Sequence, residues 1–190
     1  MKRAAFRQEI EALPMEKLVF LDECGFSLNL HRLYGWTIGG GRCTERVPFT
    51  KGQNRSVVGA FSLPSPQNPT GLWALWQKRG AWNAFLFELF VEEVVLPRVP
   101  KGSILVLDNA RIHYSPTLKK SVEEAGCSLL YLPPYSPDFN PIEHVWSWIK
   151  HSVRTLAPRD DYARKSDIYA AAEALPPQAA FAWFKNCGLT

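Results

Sequence analysis

The sequence predicts an α/β protein built on one mixed sheet with helices on its faces, and three observations carry the prediction. Two apolar runs, Leu18-Val19-Phe20-Leu21 and Ile104-Leu105-Val106-Leu107, each end in an aspartate, and a third, Ser128 to Leu132, ends in Pro133-Pro134. Short apolar runs without alternation are the pattern of strands covered on both faces. The later runs are separated by segments of helical period, whereas the earlier ones are joined by connections too short for a crossover helix. A meander of three or four early strands followed by strand–helix–strand crossovers gathers all of them into one sheet.

Taken in order, residues 1–13 predict a short helix, with Phe6, Ile10 and Leu13 at i, i+4 and i+7. The run from Leu18 is expected to end at Asp22-Glu23. Gly35 to Gly41 reads as a second short strand closing in a glycine turn, Arg55 to Leu63 as a third, and Pro64 to Pro69 as a loop. Gly71 to Gln77 is expected to pair back as a hairpin arm. Ala81 to Leu96 predicts a helix packed on the sheet, stopped by Pro97 and Pro100. Thr117 to Ala125 predicts a compact helix with Gly126 as its stop. Pro141 opens a long helix with Trp146, Ile149 and Val153 along one side. Two further helices are expected after Asp160, one alanine-rich and one around Phe181 to Phe184.

Composition excludes more than it names. Hydrophobic residues make up 46% and charged residues 21% of the 190, which excludes a disordered chain. The net charge of +4 is weak support for a polyanionic partner. No uninterrupted apolar stretch is long enough to span a membrane. The opening MKRAAFRQEIEALP lacks the apolar core of a secretory signal. Cys24, Cys43, Cys127 and Cys187 form no C-x-x-C pair, so reduced thiols and a cytoplasmic location are expected. A zinc site would have to combine Cys24, His31 and Cys43 at irregular spacing and is not expected. A dinucleotide or nucleotide fold is disfavoured too: Gly39-Gly40-Gly41 opens no crossover helix, and Lys51-Gly52 is not followed by a phosphate-loop pattern.

Three acids stand out. Asp22 and Asp108 share the context of four apolar residues, then aspartate, then a turn, which places a carboxylate at the carboxyl edge of a sheet. By alternation Asp22 shares a face with Leu18 and Phe20, and Asp108 with Ile104 and Val106. If the strands are parallel neighbours, the two charges repel, and divalent cations with a preference for hard oxygen ligands, magnesium or manganese, relieve that repulsion. Either acid alone has a plainer explanation as a turn cap. The third is Glu143, for which a capping box with Asn140 as N-cap and Pro141 at the first helical position is the competing reading. Capping does not explain the rigid approach Pro133-Pro134-Tyr135-Ser136-Pro137-Asp138-Phe139. Glu23 is expected on the face opposite Asp22, and Asp138 is expected to order the turn before the helix.

The segments LVFLDECGF, ILVLDNARIHYS and LPPYSPDFNPIEHVWSWIK resemble the three acidic motifs of DDE transposases, in the bacterial insertion-sequence (IS630-like) branch of the Tc1/mariner superfamily. Thirty-four residues separate Asp108 from Glu143, as in the DD34E form of that superfamily. Gly35-Trp36 matches its common G-W, and Trp183 to Gly188 its closing signature. The resemblance implies a ribonuclease-H-like fold: a mixed five-stranded sheet, antiparallel in its first three strands and then parallel. It implies a lead-in helix over 1–16, a catalytic domain over 17–158 and a helical tail over 159–190.

It further implies that Asp22, Asp108 and Glu143 are the catalytic residues and hold two Mg2+ or Mn2+ ions, for strand cleavage followed by transfer of the freed 3′-hydroxyl to target DNA. The expected partners are double-stranded DNA, as transposon ends and target, and a second copy of the chain. Arg42, Arg46, Lys51, Arg55, Lys150 and Arg154 are the candidate DNA contacts, and Asn109, Arg111 and His113 match the D-N-A-x-x-H surroundings of the second acid. The tryptophans are expected mostly in the core. Family members also carry an N-terminal helix-turn-helix region. Its lack here suggests a split reading frame with a separate helix-turn-helix polypeptide, a frameshift product or a degenerate remnant. The alternative functions are a nuclease without strand transfer and a domesticated DNA-binding module.

Overall fold

In the computed structural model, residues 2–27, 30, 34–44, 54–158 and 160–189 are described, apart from the Lys2 side chain. Strand β1 (Leu18–Phe26) lies at the middle of a five-stranded sheet in the order β3-β2-β1-β4-β5. It pairs antiparallel with β2 (Arg55–Phe61), which pairs antiparallel with β3 (Leu72–Arg79). On its other side β1 pairs parallel with β4 (Ile104–Leu107), and β4 with β5 (Ser128–Tyr131). This is the mixed sheet the sequence predicts.

Alternation along β1 explains its apolar run. Leu18, Phe20, Cys24 and Phe26 belong to a core shared with α1 (Lys2–Glu11), α4 (Ile142–Leu156), α5 (Asp161–Glu173) and α6 (Pro177–Asn186). Val19 and Leu21 belong to the opposite core, with Phe87 and Phe90 of α2 (Ala84–Phe90) and Leu118 and Val122 of α3 (Pro116–Glu124). A strand covered by helices on both faces has no position left for alternating polar residues. Helices α5 and α6 join the first core directly: the Phe184 ring meets Phe20 edge-on at 5.5 Å between centroids. Asp161, in the first turn of α5, binds Arg55, Arg79 and Arg164, tying that helix to β2 and β3.

Several expectations need correction. Asp22 lies inside β1 rather than at its end, because β2 supplies rungs from Phe20↔Phe61 to Phe26↔Arg55 after the β4 pairing has stopped at Phe20↔Val106. Gly35 to Gly41 forms no strand. It holds only a single 3-10 turn, Ile38–Gly40, with Gly39 and Gly40 at positive φ, a state that breaks any strand pairing. Trp36 there is 101% exposed rather than in the core. The third apolar run is half-buried rather than buried, because β5 is an edge strand, although Leu130 packs toward one core and Leu129 and Tyr131 toward the other. The Ala81–Leu96 segment is helical as expected but passes at Val91–Val95 into a π-helical turn.

The start of α4 departs from the capping-box reading. Pro141 occupies the cap position without a side-chain cap hydrogen bond, and the backbone carbonyl of Asn140, not its side chain, accepts from Glu143 N at 3.1 Å. A proline at the boundary fixes the backbone for helix entry and needs no donor there. Glu143 is therefore not spent on capping.

Candidate active site

The parallel register decides where the acids fall. Leu18, Val19 and Phe20 stand level with Ile104, Leu105 and Val106, and the same offset continued two residues further pairs Asp22 with Asp108. Two residues on is the same face of each strand, so the sheet sets both aspartates on neighbouring rows. Glu143 arrives from the first turn of α4. All three acids, with Asn109, Ala110, Asn140 and residues 132–137, line one cleft of about 490 Å3.

Their environments differ. Asp22 is buried at 8% exposure; its Oδ1 accepts from the Glu23 backbone N at 2.8 Å and its Oδ2 from Trp146 Nε1 at 3.2 Å. Burial, helped by the repulsion of Glu143, pushes its pKa up to about 7. Trp146 reaches Asp22 because Gly59 stands opposite Asp22 on β2. A Cβ at Gly59 would lie 2.8 Å from Trp146 Cη2. Asp108 has a half-exposed side chain; its Oδ1 binds His113 Nδ1 at 2.7 Å and accepts from Ala110 N at 2.8 Å. The hydrogen bond from His113 holds its carboxyl below the usual carboxylate range.

His113 is fully buried, packs on the Phe87 ring at 4.3 Å, and lies between two acids: its Nε2 contacts Glu23 Oε1 at 3.1 Å. Burial alone would lower its pKa, but Asp108 and Glu23 together raise it to about 10, so the ring is an imidazolium at neutral pH. Glu23 thus lies opposite Asp22, as alternation predicts. It is also His113's second carboxylate partner, a role the sequence does not disclose.

The candidate DNA contacts divide. His113 is corrected: buried and bonded on both ring nitrogens, it offers nothing to a phosphate. Arg55 is corrected as well, because its guanidinium is buried and donates to both Asp161 oxygens at 2.9 Å. Asn109 lines the cleft, its Nδ2 donating to the Leu132 carbonyl and its Oδ1 accepting from the Tyr114 hydroxyl. Arg42, Arg111 and Arg154 are exposed. Lys150 is half-buried above the Phe26 ring at 5.9 Å and beside the Cys24 thiol. Arg46 and Lys51 lie outside the described residues.

Among the described residues, no three His, Cys, Asp or Glu side chains are gathered closely enough around one point to hold a metal ion. The donor chemistry nonetheless fits a hard divalent cation. Three carboxylates share the cleft, Asp22 and Glu143 repel each other, and Asn140 Oδ1 is a buried acceptor without a partner in the cleft lining. Glu143 accepts no hydrogen bond among the described residues, so both of its oxygens are free for a ligand. The loop that leads into α4 is ordered by Arg3, which donates to Ser136 Oγ at 2.7 Å and pairs with Asp138, with its guanidinium over the Phe139 ring at 4.6 Å.

Comparison with known proteins agrees with this picture. A family model described as DDE superfamily endonuclease matches residues 17–164. The chain is 27% identical over 98 residues to the Tcb2 transposase of Caenorhabditis briggsae and 28% over 91 residues to the Tc1 transposase of Caenorhabditis elegans. These matches cover 50% and 48% of this chain but only 36% and 33% of the relatives. An uncharacterized Sinorhizobium fredii protein, y4pE/y4sA, is 40% identical over 48 residues, 25% of this chain and 33% of its own length. Matched segments therefore span about a third of the length of each curated relative. In fold, the chain is similar to Mos1 mariner in its manganese-containing paired-end complex, at TM-score 0.75 and 16% identity over 98% of this chain and 60% of that one. It is also similar to the Mos1 transposase catalytic domain with raltegravir and manganese, at TM-score 0.69 and 12% identity over 98% of this chain and 90% of that one.

Proposed function

The chain belongs to the DDE superfamily of endonucleases, and from that premise we propose that it is the catalytic domain of a cut-and-paste DNA transposase, acting through Asp22, Asp108 and Glu143. The observation that supports this most directly is that an acid within β1, one just after β4 and one in the first turn of α4 line a single cleft. Two divalent cations, Mg2+ or Mn2+, held by Asp22 with Asp108 and by Asp22 with Glu143, would supply Lewis-acid activation of the attacking oxygen and stabilisation of the leaving one. Duplex DNA is the substrate. In the first reaction a water oxygen bonds to phosphorus and the P–O3′ bond breaks, freeing a 3′-hydroxyl. In the second, that hydroxyl oxygen bonds to a target phosphorus and displaces the target's own 3′ oxygen. One site serves both, since each is an in-line displacement at phosphorus.

The chain's own residues have distinct tasks in this reading. Trp146 and the Glu23 amide hold Asp22 in place, His113 keeps Asp108 ionised, and the proline-stiffened approach to α4 presents Glu143. Arg42, Arg111 and Arg154 are the exposed cations best suited to the DNA backbone. A second copy of the chain on DNA, and a separate helix-turn-helix polypeptide for end recognition, complete the assembly we propose.

The test is metal-dependent nicking of supercoiled plasmid and joining of a pre-cut 3′-hydroxyl end. Wild type should do both in Mn2+, and Asp108→Asn should fall to the metal-free background while unfolding as cooperatively as wild type. Full activity of Asp108→Asn overturns the assignment. Nicking without joining reassigns the domain to a hydrolytic nuclease.

A further inference from the structure

The loop between β5 and α4 holds one residue in a way its own packing does not require. Tyr135 adopts φ of 55°, in the left-handed region that disfavours residues with a Cβ. Its side chain is 100% exposed and makes no hydrogen bond or ring contact among the described residues, so the fold gains nothing from the ring that would offset the backbone strain. The surroundings are nonetheless firmly fixed. Pro133, Pro134 and Pro137 restrict the chain. Ser136 is buried and its hydroxyl accepts from Arg3 and donates to the Pro134 carbonyl at 3.3 Å. Tyr135 lines the cleft that contains Asp22, Asp108 and Glu143.

Tyr114, a second exposed tyrosine near this cleft, makes the contrast. Its ring is stacked on Tyr131 at 4.7 Å and 13°, and its hydroxyl is donated to Asn109. Tyr114 is committed to the protein. Tyr135 is an uncommitted aromatic face held rigidly at the rim of an acidic cleft. Strained backbone at such a rim persists where the surrounding structure over-determines it and function uses it. The ring is neutral and planar, which suits the uncharged, planar part of a nucleotide, while the carboxylates suit the cations that would accompany its phosphate.

We infer that Tyr135 is a stacking platform for the nucleobase adjoining the phosphate that enters the cleft. The inference deepens the reading of the cleft as a DNA-cutting site and rests on it. Stacking of this kind accepts any base, since every base has an aromatic face, so Tyr135 sets the position of the strand rather than its sequence.

The test uses the full chain and a pre-cut duplex whose 3′-terminal nucleotide is the fluorescent base 2-aminopurine, with Ca2+ as the cation. Wild type should quench the fluorophore on binding, and Tyr135→Phe should do the same. Tyr135→Asn, chosen because asparagine tolerates the left-handed backbone, should abolish the quench and weaken binding about tenfold. Replacing the terminal base by an abasic site should weaken wild-type binding by a similar factor and leave Tyr135→Asn unchanged. Absence of quenching by wild type, wild-type quenching by Tyr135→Asn, or an equal abasic penalty in both proteins overturns the inference. If Asp108→Asn loses metal-dependent nicking while Tyr135→Asn binds like wild type, the stacking assignment alone falls. If Asp108→Asn keeps its nicking, the reading of the cleft falls first.

Discussion

Asp22 and Asp108 follow the same local sequence, four apolar residues and then the acid, and continue the same parallel register, yet they have opposite electrostatic fates. Asp22 is buried, hydrogen-bonded to Trp146 and raised to about 7. Asp108 is half-exposed, bonded to a charged imidazole and lowered. The difference lies in the third dimension: α4 covers Asp22, whereas the turn after β4 brings His113 back under Asp108. Without a cation the cleft pairs a carboxylate that stays ionised with one that protonates near neutrality. A cation then has to displace a proton from Asp22 but none from Asp108.

The largest expected effect follows from Asp22. Its folded pKa is raised, so between the ordinary carboxylate range and about pH 7 the folded state binds more protons than the unfolded state. Its contribution therefore favours folding at low pH and fades as pH rises through about 7, by on the order of 4 kcal/mol over the whole titration and about 3 kcal/mol between pH 5 and pH 8. Urea unfolding in chelator at pH 5 and pH 8 should show that slope. Asp22→Asn should flatten it, and Mn2+ should flatten it in wild type by holding the ionised form. A slope unchanged in Asp22→Asn would equate the two aspartates and break the comparison.

A smaller effect is expected on the other side. His113→Leu leaves Glu23 and Asp108 without their shared cation and should cost about 2–3 kcal/mol in urea unfolding, discounted for the partial exposure of both acids. The Asp108 carboxyl should then titrate nearer its ordinary value, readable by carbon NMR of the side chains. The smallest is at Gly59. Gly59→Ala places a methyl against Trp146 and should cost about 1–2 kcal/mol. It should also weaken Mn2+ binding, while Ala60→Gly, one residue along on the opposite face, leaves Mn2+ affinity unchanged.

The acids themselves were legible in the sequence because each sits at a local signal: an apolar run broken by a carboxylate, or a proline-stiffened helix start. The parallel half of the sheet was legible because a helical segment separates β4 from β5, whereas the antiparallel pairing of β1 with β2 was expected through a short strand at Gly35 to Gly41 that does not form. What surrounds the acids was not. Trp146 binds Asp22 across 124 residues, His113 binds Glu23 across 90, and Arg55 binds Asp161 across 106. No local pattern encodes such pairings, so Arg55 and His113 read as free cations when both are internal partners. Gly59 could have been found only once its register against Asp22 was known. The G-W segment misled because glycines between apolar residues resemble a strand while lacking a partner to pair with.

Backbone rungs run between β1 and β4 up to the level just before the aspartates, and these lock the two acids to one another. Glu143 rides on a separate helix, seated against a loop that Arg3 of α1 grips by hydrogen bond, ion pair and ring contact. The cleft thus has two acids set by one sheet register and a third set by the packing of α4 and by the first helix of the chain. The first turn of the chain braces the entry to the helix that carries its last acid.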